Sequence, residues 1–153
     1  MKPSRIFLLT LALVAAVGCC GQGWKQNADG ITVRVADKTA DGPALVRLQV
    51  KGDNLVRVTA TPETRFADRK SLIIVPSESK PEFTVASTDS TVSVVTSSVT
   101  ASVRFRDGAV SFADKDGSTI LGGNTMSFTP ITVEGRHEYS SLFTFDSPQD
   151  EAF

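Results

Sequence analysis

The sequence has one histidine, one tryptophan, one tyrosine and two cysteines in 153 residues, and each scarcity removes a class of chemistry. The cysteines are adjacent, Cys19 and Cys20, and no third cysteine exists to pair with either, which excludes a disulfide framework. With His137 as the sole histidine, the clustered Cys/His ligands of a structural zinc site are missing, and neither a metal nor another cofactor is expected. No run of basic residues interleaved with aromatics occurs, and the formal net charge is -1. Lys2 and Arg5 lie in a predicted leader, so the remainder has 14 basic against 17 acidic side chains. A mildly acidic chain repels a phosphate backbone, so no nucleic-acid partner is expected. Glycine-rich phosphate loops are also missing, because Gly122-Gly123 precedes no helical pattern.

What the chain does have is alternation. Val99, Ala101, Val103 and Phe105 sit two apart with Thr100, Ser102, Arg104 and Arg106 between them, the period of a strand with one buried face. Asp107-Gly108 follows and supplies the positive φ of a tight turn. Val110 and Phe112 resume the pattern, residues 114–117 turn again, and Ile120-Leu121 begins another strand, giving a meander over 91–121. Further strands are predicted over 31–35, 45–50, 55–60, 71–75, 83–86, 91–96, 131–134 and 137–146, with turns at Gly52-Asp53-Asn54 and at Gly122-Gly123-Asn124. Arg47, Lys51 and Arg57 are expected on the solvent face of the 45–60 hairpin. The absence of a competing helical period makes the fold class all-β, an antiparallel β-sandwich.

Only the N-terminus is continuously apolar. Lys2 and Arg5 precede a hydrophobic stretch over 6–17, too short to span a bilayer comfortably, and residues 1–18 read as an export signal. Ala16-Val17-Gly18-Cys19 resembles the bacterial lipobox, in which a small residue precedes the cysteine that is diacylated and becomes the mature N-terminus. Cys19 is therefore the expected lipidation site, residues 19–30 a tether, and the chain an exported protein anchored in a membrane. A plain secretory leader with incidental cysteines is the alternative.

Catalytic groups are harder to find. A hydrolytic carboxylate pair must face across a cleft, with one pKa raised. Asp114 and Asp116 flank a turn and suit turn geometry better, Asp150 and Glu151 are neighbours in a polar terminus, and Asp146 precedes Pro148. His137, the one available base for a serine nucleophile, lies where a turn enters a strand. No catalytic residue is assigned. A glycan-binding surface would have to draw on Trp24, Tyr139 and Phe143.

The stretch Ser141-Leu142-Phe143-Thr144-Phe145-Asp146-Ser147-Pro148-Gln149-Asp150-Glu151-Ala152-Phe153 resembles the segment that precedes a Tyr-Gly-Leu-Gly motif in glycoside hydrolase family 31. The order of hairpins upstream is similar to that family's N-terminal, galactose mutarotase-like β-sandwich. The resemblance implies a sandwich domain over 31–153, incomplete at its C-terminus. Its parent would be a retaining α-xylosidase or α-glucosidase of a Gram-negative bacterium, acting on oligosaccharides. The family's two catalytic aspartates lie on a downstream (β/α)8 barrel, one in a Trp-x-Asp motif. Here Trp24 is followed by Lys25 and Gln26, so the resemblance implies a noncatalytic support domain whose partner is the missing barrel. A self-contained glycan-binding or structural lipoprotein is the other reading.

Overall fold

The structure, a computed structural model, describes residues 23–68 and 82–146. Among them are two antiparallel sheets and no helix. The first holds β1 (Trp24–Asn27), β2 (Gly30–Arg34), β3 (Leu45–Gly52) and β4 (Leu55–Thr61) in sequential order. The second holds β5 (Thr84–Ser87), β6 (Thr91–Val95), β7 (Val99–Arg104), β8 (Val110–Asp114), β9 (Thr119–Val133) and β10 (Arg136–Asp146), in the order β10-β9-β8-β7-β6-β5.

Register explains how the sheets meet. Pairing of Ile31 with Leu48, Val33 with Val46 and Val50 with Val56 puts these residues on one face of the first sheet. Val92 with Val103, Val94 with Ala101 and Val103 with Val110 do the same in the second. The two faces share one buried core, which Met126 and Phe128 of β9 extend. Each fully buried Val or Leu contributes roughly 1.5–3 kcal/mol relative to exposure, so a core of β-branched residues holds the sheets face to face. The all-β antiparallel class expected from the alternation is the one observed.

The meander is also present, with one refinement. Phe105, expected to end a strand, lies in the turn, where its ring packs against the core. Arg104 N–H donates to Ala109 O (2.9 Å), and the Asp107 carboxylate accepts from Ala109 N–H (3.1 Å). Gly108 adopts φ 73°, and a Cβ there would stand 2.8 Å from Val35 Cγ2. The turn is tied to the first sheet by Ala36 N–H to Phe105 O and Asp37 N–H to Arg106 O, both 2.8 Å.

Two expectations are corrected. Residues 24–27, read as part of a tether, form β1, because ladder bonds to β2 and the packing of Trp24 on the core replace the missing alternation. Gly122-Gly123-Asn124 does not reverse the chain. β9 runs through it, and Val110 pairs with Asn124 while Phe112 pairs with Leu121, so an extra residue is accommodated on β9. Gly123, at φ 67°, makes this bulge, and a side chain there would collide with the Asp146 carboxylate. The predicted strand at 71–75 lies outside the described residues.

Candidate functional site

Alternation fixes what each sheet shows to solvent. The outward positions of the first sheet are Lys25 and Asn27 on β1, Thr32 and Arg34 on β2, Arg47, Gln49 and Lys51 on β3, and Arg57 and Thr59 on β4. No strand position on this face is acidic. Residues 62–66 follow β4, and the Phe66 ring lies over the Arg47 guanidinium, 4.3 Å from ring centroid to Cζ, a cation–π contact. Between them runs a groove of about 740 Å³ lined by Lys25, Asp29, Arg34, Arg47, Arg65 and Phe66, with Gly23 and Trp24 at its rim.

Asp29, the one acid in the groove, is engaged. Lys51 Nζ (2.9 Å) and Gln49 Nε2 (2.8 Å) both donate to its Oδ2. Partial burial pushes its carboxyl up, but these hydrogen bonds together outweigh burial and hold the pKa below the ordinary carboxylate range. Arg47 Nε, Gln49 Oε1 and Thr59 Oγ1, all on this face, are buried without a hydrogen-bond partner in the protein. Arg47 and Lys51 are thus half-buried rather than fully solvated, because the loop after β4 and the β1–β2 turn fold over them.

A second groove, about 750 Å³, opens at the end of the sandwich where the β1–β2 turn meets Glu82, Phe83 and Thr84. Its walls include Gln26, Asn27, Asp53 and Thr96, and the Thr96 hydroxyl donates to Asp53 O.

The candidates named from sequence fall elsewhere. Asp114 Oδ1 accepts from Asp116 N–H (2.9 Å) and Ser118 N–H (2.8 Å), so it organises the β8–β9 turn, while Asp116 pairs with Lys115. His137 stands on β10 opposite Thr132, exposed. Tyr139 donates to Glu63 Oε1 (2.6 Å), which raises its pKa, and meets Phe128 edge-on at 6.4 Å between centroids. Tyr139 and Phe143 share a face of β10, at one edge of the second sheet. Trp24 is on β1, the edge strand of the first sheet, against which Phe83 and Thr84 lie rather than β10. The three aromatics therefore do not form one platform. Cys19, Cys20, Asp150 and Glu151 lie outside the described residues, as does the 147–153 part of the C-terminal motif. Among the described residues no group of three or more His, Cys, Asp or Glu is arranged to hold a metal ion. Of this basic face the sequence indicated only Arg47, Lys51 and Arg57; Lys25 and Arg34 join them only when register aligns the four strands.

The β9–β10 hairpin is the most apolar exposed feature. β9 rises for about 50 Å, and β8 pairs only with its first part. Beyond Asn124 its strand partner among the described residues is β10 alone, and there Ile131, Val133, Leu142 (62% exposed) and Phe143 (53%) are exposed.

No family model matches the sequence. Among solved structures, the chain is similar to the α-xylosidase of glycoside hydrolase family 31 from Xanthomonas citri, with a TM-score of 0.74 and 40% sequence identity. The match covers 82% of this chain and 14% of that enzyme, so the chain spans about one-seventh of that protein's length.

Proposed function

We propose, from the kinship of this chain with glycoside hydrolase family 31, that it is the noncatalytic, galactose mutarotase-like β-sandwich of a retaining α-glycosidase acting on oligosaccharides. The observation that carries the reading is the combination of 40% identity with a shared fold over most of this chain and a small part of the enzyme. A sandwich of this size within such an enzyme supports a larger catalytic body, the (β/α)8 barrel that holds the family's aspartates.

The exposed hairpin fits that role. Ile131, Val133 and Leu142 on the outer face of the hairpin place an apolar patch, with Tyr139 and Phe143 on its other face, at the sheet edge where β10 leaves one side of its backbone unpaired among the described strands. An uncovered apolar patch beside an open strand edge is the signature of an interface. The rest of the enzyme is its natural cover. The parent is an α-xylosidase or α-glucosidase, and the chain is exported and held at a membrane by an acyl chain on Cys19.

The test is hydrolysis. Purified chain incubated with aryl α-xylosides and aryl α-glucosides should release aglycone no faster than buffer. Turnover above background that survives repurification would overturn the support-domain reading. Fatty-acid labelling in an exporting bacterium tests the anchor separately, with loss of label in Cys19→Ser as the expected result.

A further inference from the structure

The outward face of the first sheet collects Lys25, Arg34, Arg47, Lys51 and Arg57 from four adjacent strands, and Arg65 adds a sixth cation from the loop that closes the groove. Elsewhere in the described chain three of five cations are neutralised locally, Arg104 by Asp107, Arg106 by Asp37 and Lys115 by Asp116, while Lys38, after β2, and Arg136, at the start of β10, are single cations on separate elements. On this face only Lys51 has such a partner, and that partner, Asp29, is the groove's one acid. Lys25, Arg34, Arg47, Arg57 and Arg65 have no ion-pair partner among the described residues. A chain of net charge -1 has thus separated its signs, with acids in turns and an unneutralised basic surface on one side of the sandwich. The outward face of the second sheet is different in kind: Ser93, Thr100, Ser102, Ser111 and Ser127 dominate it, and its cations Arg104 and Arg136 are spread over two distant strands, Arg104 held by Asp107.

Position says what such a face meets. Gly23 and Trp24 form the rim of the basic groove. Three residues, 20–22, separate Gly23 from Cys19, a stretch that reaches at most about 14 Å even when extended. An acyl chain at Cys19 would keep this end of the sandwich within about two Debye lengths of the lipid headgroups. Acyl chains fix how far the sandwich stands from the membrane but not which side it turns to it, and a basic face is drawn toward anionic headgroups.

We propose that the outward face of the first sheet docks on an anionic phospholipid surface, with Lys25, Arg34 and Arg65 as its exposed contacts. The inference rests on the Cys19 anchor for its geometry, so the experiment removes the anchor and examines the face alone. The full chain carrying Cys19→Ser and Cys20→Ser is floated with vesicles of phosphatidylcholine, or of an equal mixture of phosphatidylcholine and phosphatidylglycerol. The leader, with Lys2 and Arg5, itself favours anionic vesicles, so the contribution of the face is read from the change between variants, all of which share that leader. Binding should favour the anionic vesicles. Adding Lys25→Gln, Arg34→Gln and Arg65→Gln should cut that preference by about 100-fold, each cation near an anionic surface being worth about fivefold. Lys115→Gln, a cation already paired at the β8–β9 turn, should change it less than twofold if the effect is the face and not total charge. Circular dichroism of each variant verifies that the sheets are intact. Equal binding to the two vesicle types, an unchanged preference in the triple variant, or retention only on a soluble polyanion such as a uronic-acid oligosaccharide would overturn the proposal.

Discussion

Asp29 joins the β1–β2 turn to β3 through both its backbone and its side chain. Its carbonyl accepts from Val50 N–H at 2.7 Å while its carboxylate takes Lys51 and Gln49. Because the folded pKa is depressed, the stability from ionised Asp29 is present above the ordinary carboxylate value and is lost as pH falls through the folded one. Asp29→Asn keeps the shape and removes the titration. The stability gap between wild type and variant should therefore be constant near neutrality, below about 1 kcal/mol as for other partly exposed pairs, and should close below about pH 4. Denaturant midpoints at neutral and acid pH read this directly, and a gap independent of pH would show that the carboxylate is not what Lys51 and Gln49 hold.

At the scale of the element, the β9–β10 hairpin separates packing from exposure. Met126 and Phe128 on β9 are buried, and Phe128 N–H donates to Asp41 O at 2.7 Å, so this part belongs to the domain. Leu142, on the opposite face of the hairpin, supports nothing inside it. Leu142→Ser should shift the unfolding free energy by no more than about 0.5 kcal/mol. The same variant should self-associate less than wild type in sedimentation. A loss of several kcal/mol would instead place Leu142 in the core. Strands of this kind were legible where hydrophobic alternation was strict, as along 31–35 and 99–104. They were not where partners rather than side chains decide the state. Residues 24–27 lack an apolar face apart from Trp24 and become a strand by pairing with β2. Gly122-Gly123 carries a turn signal that is overridden, because β10 pairs with β9 on both sides of it and leaves the glycine to form a bulge. The basic face was legible only in its hairpin cations, Arg47, Lys51 and Arg57, for a related reason. Its cations are spread over 25–65 and converge only in three dimensions, whereas net charge averages them away.

At the scale of the molecule, the described residues form a two-sheet sandwich with three unlike exteriors: a basic face, a face dominated by small hydroxyl residues, and an apolar edge. The first suits the anionic surface, and the last the protein partner, proposed above. Similarity to a family 31 α-xylosidase over 82% of the chain underlies that account, and the resemblance of 141–153 to the segment before Tyr-Gly-Leu-Gly predicts what should follow it. The decisive measurement is the nucleotide sequence of the locus beyond codon 153. The account predicts an open frame that continues into Tyr-Gly-Leu-Gly and, further on, a Trp-x-Asp motif on a (β/α)8 barrel. A stop codon directly after Phe153 with no barrel sequence behind it would contradict it.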